Sequence, residues 1–561
     1  MGCTLYRHRL TACDHPVNID LSTRHHNIST SPDMLTRSAP EPVYLFRPTH
    51  QELSTTNNRA INHLNFISLK QPQHLALLTA DNHGWISIWN LDSKRTQSLW
   101  HPHPHTQSIG GCLSAWPLTT HSDSDQSSSL FILSQGRDHQ LILNQIHNYT
   151  KTCTISTITR ANLKPTHSNP STNVSIVAQT PINAINFCKA SSLPLHHSPL
   201  AVSQNIHSIV ALPSLISEEF VDIFAIRIVD PPKIIKICEA LGREKDQGRN
   251  KTQTGSVVAV QLYSPPGTKG LILMMIGYES GEARILKNES LIDPGFQSSS
   301  SSKEEEERMM DGVDWEEVGR FQGHTEPILS LTISIDPLDR LAGIGWSVGA
   351  DRKIVRYELT AIASDPPAHC PHTNISQNGG EYQMSMNPMI FETNQPGRFD
   401  VQVRSDGKVL GIYTWGGKLW LFDTTAIEPD QAEPPKITGS RRDKASAVES
   451  ARPFTLRPLL VLKLPTEPEH RSGVLAFAPF PPPPPPLLAP SSPPASPPQT
   501  LPNRLDSLAG LALLVASAPA GQIIAWEVFP PPPLPQSRAY MSRSKQSEAT
   551  IDPSKENADS I

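Results

Sequence analysis

The chain has 561 residues, a formal net charge of -5 and a pI near 6.5, with 37% hydrophobic and 18% charged residues. That balance supplies no general basic field, which argues against a protein whose main task is gripping phosphate backbones. Its 54 prolines, where average usage of ~5% would give roughly 28, place the excess in segments that do not fold.

Residues 1–40 are polar, rich in His and Thr and without a sustained period, so they read as a disordered tail. Met1-Gly2-Cys3 invites lipidation, but the myristoylation pattern wants Ser or Thr where this chain has Tyr6. The N-terminus lacks the charged, apolar, small-residue order of a signal, and no stretch approaches the ~18 to 20 apolar residues of a membrane span. Seven scattered cysteines form no close pair of the metal or redox kind and read as reduced intracellular thiols.

Order begins at Pro42–Phe46, and from there short apolar runs alternate with polar turns, the pattern of an all-β repeat fold. The predicted strands are residues 61–67, 75–80, 85–89, 130–134, 141–146, 182–187, 208–212, 221–226, 234–238, 257–263, 271–277, 283–286, 328–333, 354–359, 419–422, 474–477, 511–516 and 523–529. They group into about seven sets of three or four, the third strand of each ending near Trp89, Asn144, Phe224, Leu286, Tyr357, Phe422 and Trp526. Loops absorb what exceeds a compact repeat: the self-repelling Ser and Glu run 298–307, the polar stretches 366–398 and 428–452, and the proline-rich 481–498 inside the last set. Residues 530–561 read as a second disordered tail, leaving 41–529 as the folded domain. The last strand occupies a third position, so Pro42–Phe46 is expected to supply the missing outer strand and close a ring.

Three stretches share one layout of hydroxyl, polar turn and strand: Thr79 to Trp89, Ser134 to Asn144 and Ser347 to Tyr357. With the Trp89-Asn90 and Gly323-His324 pairs this layout points to a seven-bladed WD40 β-propeller. In such repeats a buried Asp needs donors, and an imidazole, a hydroxyl and an indole supply them. His324, Ser347, Asp351 and Tyr357 are the fullest set, and Ser134, Asp138 and Asn144 keep most of another. His50, Thr79 and Trp89 fit a third in which His83 replaces the Asp, and Gly416 stands in the Asp place of the sixth set. All of these residues are expected to be structural.

His101-Pro-His103-Pro-His105 could offer three imidazoles to a metal, but its prolines hold it extended with no fourth ligand nearby, and a loop is the expected role. Gly277-Tyr-Glu-Ser-Gly281 has the outline of a nucleophile elbow with its Ser one place late, and reads as a turn. No catalytic, cofactor-binding or metal residue is assigned, and the partner-binding residues are left open.

Several blocks resemble the fungal ASTRA-associated protein 1 family in the same order: Gly136–Leu141, Pro181–Cys188, Val221–Phe224, Gly277–Gly281, His324–Leu331 and Val403–Gly407. That family is related to the guanine-nucleotide-binding protein β-subunit-like proteins of animals. The resemblance implies a non-enzymatic scaffold of a nuclear complex, linked to chromatin remodelling and to assembly of phosphatidylinositol-3-kinase-related proteins. Implied partners are RuvB-like AAA+ ATPases, telomere-maintenance co-chaperone subunits and a phosphatidylinositol-3-kinase-related protein, with no direct nucleic-acid or membrane contact. Asn144 in a usual Trp position and Trp415-Gly-Gly417 depart from the pattern. The alternatives are another WD40 adaptor, such as a ubiquitin-ligase substrate receptor, and a hydrolase or metal enzyme on a propeller.

Overall fold

The computed structural model describes residues 44–46, 60–68, 75–91, 95–104, 111–119, 130–147, 174–195, 206–228, 231–242, 254–265, 271–289, 315–335, 343–359, 388–393, 397–429, 454–463, 473–478, 513–517 and 523–527, all within the unit Pro40–Ile561. Their strands form seven four-stranded antiparallel sheets, six of them simple meanders in chain order. Sheet 1 holds β2 (Ile61–Ser68), β3 (Leu75–Asp81), β4 (Ile86–Asn90) and β5 (Arg95–Trp100). Sheet 2 holds β6 (Cys112–Thr119), β7 (Leu130–Gly136), β8 (Gln140–Ile146) and β9 (Val174–Pro181). Sheet 3 holds β10 (Ser191–Pro194), β11 (Ile206–Pro213), β12 (Val221–Arg227) and β13 (Lys233–Leu241). Sheet 4 holds β14 (Val257–Tyr263), β15 (Ile272–Tyr278), β16 (Glu282–Asn288) and β17 (Glu316–Gln322). Sheet 5 holds β18 (Ile328–Ile335), β19 (Gly343–Gly349), β20 (Lys353–Glu358) and β21 (Met389–Glu392). Sheet 6 holds β22 (Arg398–Val403), β23 (Val409–Thr414), β24 (Lys418–Pro429) and β25 (Phe454–Lys463).

Sheet 7 breaks the chain order. Its strands β26 (Leu475–Phe477), β27 (Leu513–Ser517) and β28 (Ile523–Glu527) are completed by β1 (Tyr44–Phe46), which pairs Tyr44 with Ala525 and Phe46 with Ile523. The N-terminal end of the folded unit therefore staples its C-terminal end, as the position of Pro42–Phe46 leads one to expect. Seven apolar clusters then join consecutive sheets. Ile67, Ala80 and Trp100 of sheet 1 pack on Cys112 and Ile132 of sheet 2, and so on round to Val474 and Ile523 of sheet 7 against Leu64 and Trp89 of sheet 1. An all-β propeller is the result. Second strands lie inside two such interfaces, which is why β7, β15, β19 and β23 are buried at every residue.

All seven expected third strands fall in that position. Outer and edge strands differ, because their mixed faces carry no clean period. Glu-Glu-Val-Gly-Arg-Phe-Gln of β17 is half exposed, and the alternation of β9 is broken. β5, β6, β10, β19, β21, β22, β23 and β25 also lie outside the predicted runs, β19 and β23 because glycines and polar residues interrupt their buried stretches. β21 falls inside the stretch 366–398 that reads as aperiodic from sequence. The proline-rich 481–498, the Ser and Glu run 298–307 and both tails up to residue 43 and from residue 528 lie outside the described residues.

One predicted strand is overturned. Ile182–Phe187 is a folded loop, because Asn183 Oδ1 accepts the Ile185 N–H at 3.1 Å and Asn186 Oδ1 accepts the Cys188 N–H at 3.3 Å. Two such Asn turns in succession bend the backbone away from an extended ladder.

Candidate partner-docking face

In an antiparallel meander the turn between second and third strands and the connection to the next sheet share one end. At this end lie the polar networks. In sheet 5, His324 just ahead of β18 places Nδ1 2.9 Å from Asp351 Oδ1 and Nε2 2.7 Å from Ser347 Oγ, which in turn lies 3.0 Å from the Tyr357 hydroxyl. Asp351 also accepts the backbone N–H groups of Thr325 and Lys353, each at 3.0 Å. Burial alone would raise its carboxyl, but His324 and these donors outweigh burial and hold it at about 2. Burial pushes the Tyr357 phenol well up, so it stays a neutral hydrogen-bonding group.

Sheet 2 repeats this network with a residue the sequence reading placed elsewhere. His103, fully buried, sets Nδ1 3.0 Å from Asp138 and Nε2 2.9 Å from Ser134 Oγ, while Asn144 Nδ2 donates to Ser134 Oγ at 3.3 Å. The His-Pro-His run thus supplies the network imidazole instead of a ligand set. His101 goes its own way, stacking on Trp85 at 4.4 Å and bonding the His83 carbonyl, and His105 lies outside the described residues. The available signal was position: like His324, His103 precedes a first strand and follows a completed sheet. The run does lead into sheet 2 as a loop, but the loop expectation gave His103 no place in the network.

In sheet 1, Trp89 Nε1 donates to Thr79 Oγ1 at 3.1 Å, as expected. His83 does not replace the Asp. Asp81, two residues earlier, closes the turn by accepting the His83 and Trp85 N–H groups at 2.9 Å. His50 lies outside the described residues. In sheet 6 the Thr414 hydroxyl donates to the Lys418 carbonyl across the turn in which Gly416 stands. All described network residues are spent on internal hydrogen bonds, which fits a structural role. None of the described His, Cys, Asp and Glu residues gather in threes as a metal site would need. Gly277–Gly281 is the end of β15 and the turn 279–281 into β16, with Gly281 at φ 82°.

The same end carries most of the large apolar side chains left in water. Among the described residues these are Ile185 (70% exposed), Phe187 (69%), Leu215 (46%), Ile216 (60%) and Trp415 (37%). The other two, Ile176 and Leu459, sit on the outer strands β9 and β25. Four of the five gather at sheet 3, on the loop 182–190 and on the turn 214–220.

That loop is tied down on three sides. The Ile182 N–H donates to the His139 carbonyl at 2.9 Å, and Gln135 of sheet 2 holds the Cys188 carbonyl at 3.0 Å and the Ala190 N–H at 2.8 Å. Asn183 Nδ2 donates to the Ser214 carbonyl at 2.8 Å, and Asn186 Nδ2 reaches the Val257 carbonyl of sheet 4 at 2.7 Å. The turn is held by the buried Asp222, which accepts the Leu215 and Ala240 N–H groups and pairs with Lys236 at 3.1 Å. Arg137 covers one side of Phe187, its guanidinium 4.6 Å from the ring centroid. Exposed apolar side chains on a rigid frame lose little further freedom on binding, which is the condition for a preformed docking surface. The alternation of Ile182–Phe187 imitates a strand, which hides from the sequence that Ile185 and Phe187 face water.

No family model matches the chain. Curated relatives are named ASTRA-associated protein 1. The Aspergillus niger protein is 22% identical over 369 residues, which is 64% of this chain and 72% of that one. The Schizosaccharomyces pombe protein is 22% identical over 367 residues, covering 63% and 82% respectively. The resemblance to ASTRA-associated protein 1 is thus shown along most of the chain. Among solved structures, the β-propeller domain of Cps50 (Swd1) from Myceliophteria thermophila aligns with a TM-score of 0.42 and 12% identity over 85% of this chain and 100% of that one.

Proposed function

We propose that the seven sheets are the blades of a seven-bladed WD40 propeller, and that the protein is a non-enzymatic scaffold subunit of a fungal ASTRA complex in the nucleus. The observation that carries this reading is the long similarity to proteins named ASTRA-associated protein 1. The rigid apolar surface at sheet 3 supports it, since such a surface holds a partner protein and the described polar clusters are consumed by the fold itself. On this reading the partners are RuvB-like AAA+ ATPases, telomere-maintenance co-chaperone subunits and a phosphatidylinositol-3-kinase-related protein, and the process served is chromatin remodelling and the assembly of such kinases.

Affinity purification of the tagged chain from its source cells, followed by mass spectrometry, tests the proposal. Recovery of RuvB-like ATPases together with the co-chaperone subunits is expected. Cullin-adaptor proteins in their place would move the protein to the ubiquitin-ligase receptors.

A further inference from the structure

The docking surface at sheet 3 is not electrically neutral. From the turn 214–220, exposed Glu218 and Glu219 continue into Glu279 of the next sheet and Glu326 beyond it. Backbone hydrogen bonds make these neighbours: the Val257 N–H donates to the Glu218 carbonyl, the Glu279 N–H to the Ser256 carbonyl and the His324 N–H to the Gly281 carbonyl. No ion pair among the described residues neutralises the four carboxylates. Two cations also belong to this surface, Arg137 over Phe187 and Lys189 in the loop 182–190, and Arg352 stands past Glu326 in the turn of sheet 5, but none of them forms an ion pair with the row among the described residues.

We propose that the segment seated here is a partner's apolar stretch flanked on one side by lysine or arginine. Its apolar side chains lie over Ile185, Phe187, Leu215 and Ile216, and its basic flank points toward Glu218, Glu219 and Glu279. This rests on the scaffold reading and adds the partner's chemistry and its direction. The apolar contact supplies affinity, and the carboxylate row supplies orientation and rate of encounter. An acidic partner meets like charges along the same row and is rejected. Rigidity of the loop is part of the inference. Asn183 and Asn186 fix the two apolar side chains in place before any partner arrives, so the surface has little ordering cost at binding.

The test uses the full chain and three labelled synthetic peptides of equal length: one of Leu and Lys, one with every Lys replaced by Glu, and one with every Leu replaced by Ser. Fluorescence anisotropy should show preference for the Leu and Lys peptide, weakening with added salt. Substituting Phe187→Ser together with Ile216→Ser should weaken it about tenfold or more, the scale of losing buried apolar contacts at a small interface. Substituting Glu218→Lys together with Glu219→Lys should abolish the salt dependence and shift preference to the Leu and Glu peptide. All four side chains are exposed, so both variants should melt with the parent. Equal binding of the Lys and Glu peptides, or binding unchanged in either variant, overturns the proposal. So does self-association of the parent chain that Phe187→Ser with Ile216→Ser abolishes, which would assign the surface to a second copy. The same variants separate this inference from the reading beneath it. If the parent chain recovers the complex from cells and both variants recover it equally, this seat is wrong and the scaffold reading stands. If the parent recovers no ASTRA subunit, the scaffold reading fails and the peptide binding alone decides the chemistry of the surface.

Discussion

Replacing Asp351 by Ala should destabilise sheet 5 by about 2 to 4 kcal/mol. The carboxylate accepts from His324 Nδ1 at 2.9 Å and from two backbone N–H groups at 3.0 Å, and the His324 side chain is fully buried. Without it, the backbone donors at the turn can find water while the imidazole N–H cannot. One stranded buried donor costs about 1 to 3 kcal/mol, and loss of charge-assisted bonds adds to it. The pH dependence gives an independent check. Asp351 is held at about 2 against an ordinary 3.8, a difference that corresponds to about 2 kcal/mol. A depressed folded-state value means the contribution is full above pH 3.8 and is lost as pH falls toward 2. The gap between parent and Asp351→Ala should therefore be constant near neutrality and shrink between these values. Because repeat folds can lose cooperativity locally, the assay is hydrogen exchange over residues 324–326 and 343–358 together with a thermal melt. Unchanged exchange there, with a melting temperature within about half a degree of the parent, would refute the network's role in stability.

Three further outcomes follow from the same geometry. Deleting residues 42–50 removes β1 and leaves β28 as an open edge, so the melting temperature should drop by several degrees, whereas deleting 1–35 should leave it unchanged. His103→Ala should cost about 2 to 3 kcal/mol, because it removes a fully buried side chain together with its bonds to Asp138 and Ser134, while His83→Ala should cost under about 1 kcal/mol because Asp81 closes that turn through backbone groups. Asn144→Asp should cost about 3 kcal/mol or more in a chemical denaturation series, since a carboxylate would be buried against the Ile132 carbonyl, which the Asn144 amide now donates to.

The third strands and the network in sheet 5 were legible because each has a strong local pattern. Continuous apolar runs mark buried strands, and Ser347 to Tyr357 keeps the hydroxyl, Asp and aromatic at fixed spacing. The outer strands were illegible for the opposite reason, since β17 and β9 face water over much of their length and their hydrogen bonds come from a partner strand that local sequence does not name. His103 was hidden by distance: 31 residues separate it from Ser134, against 23 between His324 and Ser347. Ile185 and Phe187 look like strand residues by alternation. What turns them outward is the pair of Asn side chains between them and their neighbours, a local competition that an apolar pattern does not reveal.

Hydrogen exchange on the purified complex, compared with the free chain, tests the docking account most directly. Slower exchange confined chiefly to residues 182–190 and 214–220 is predicted, because a partner seated there covers both the loop and the turn. Unchanged exchange at these segments, with protection appearing instead along the outer strands β9 and β25, would contradict it.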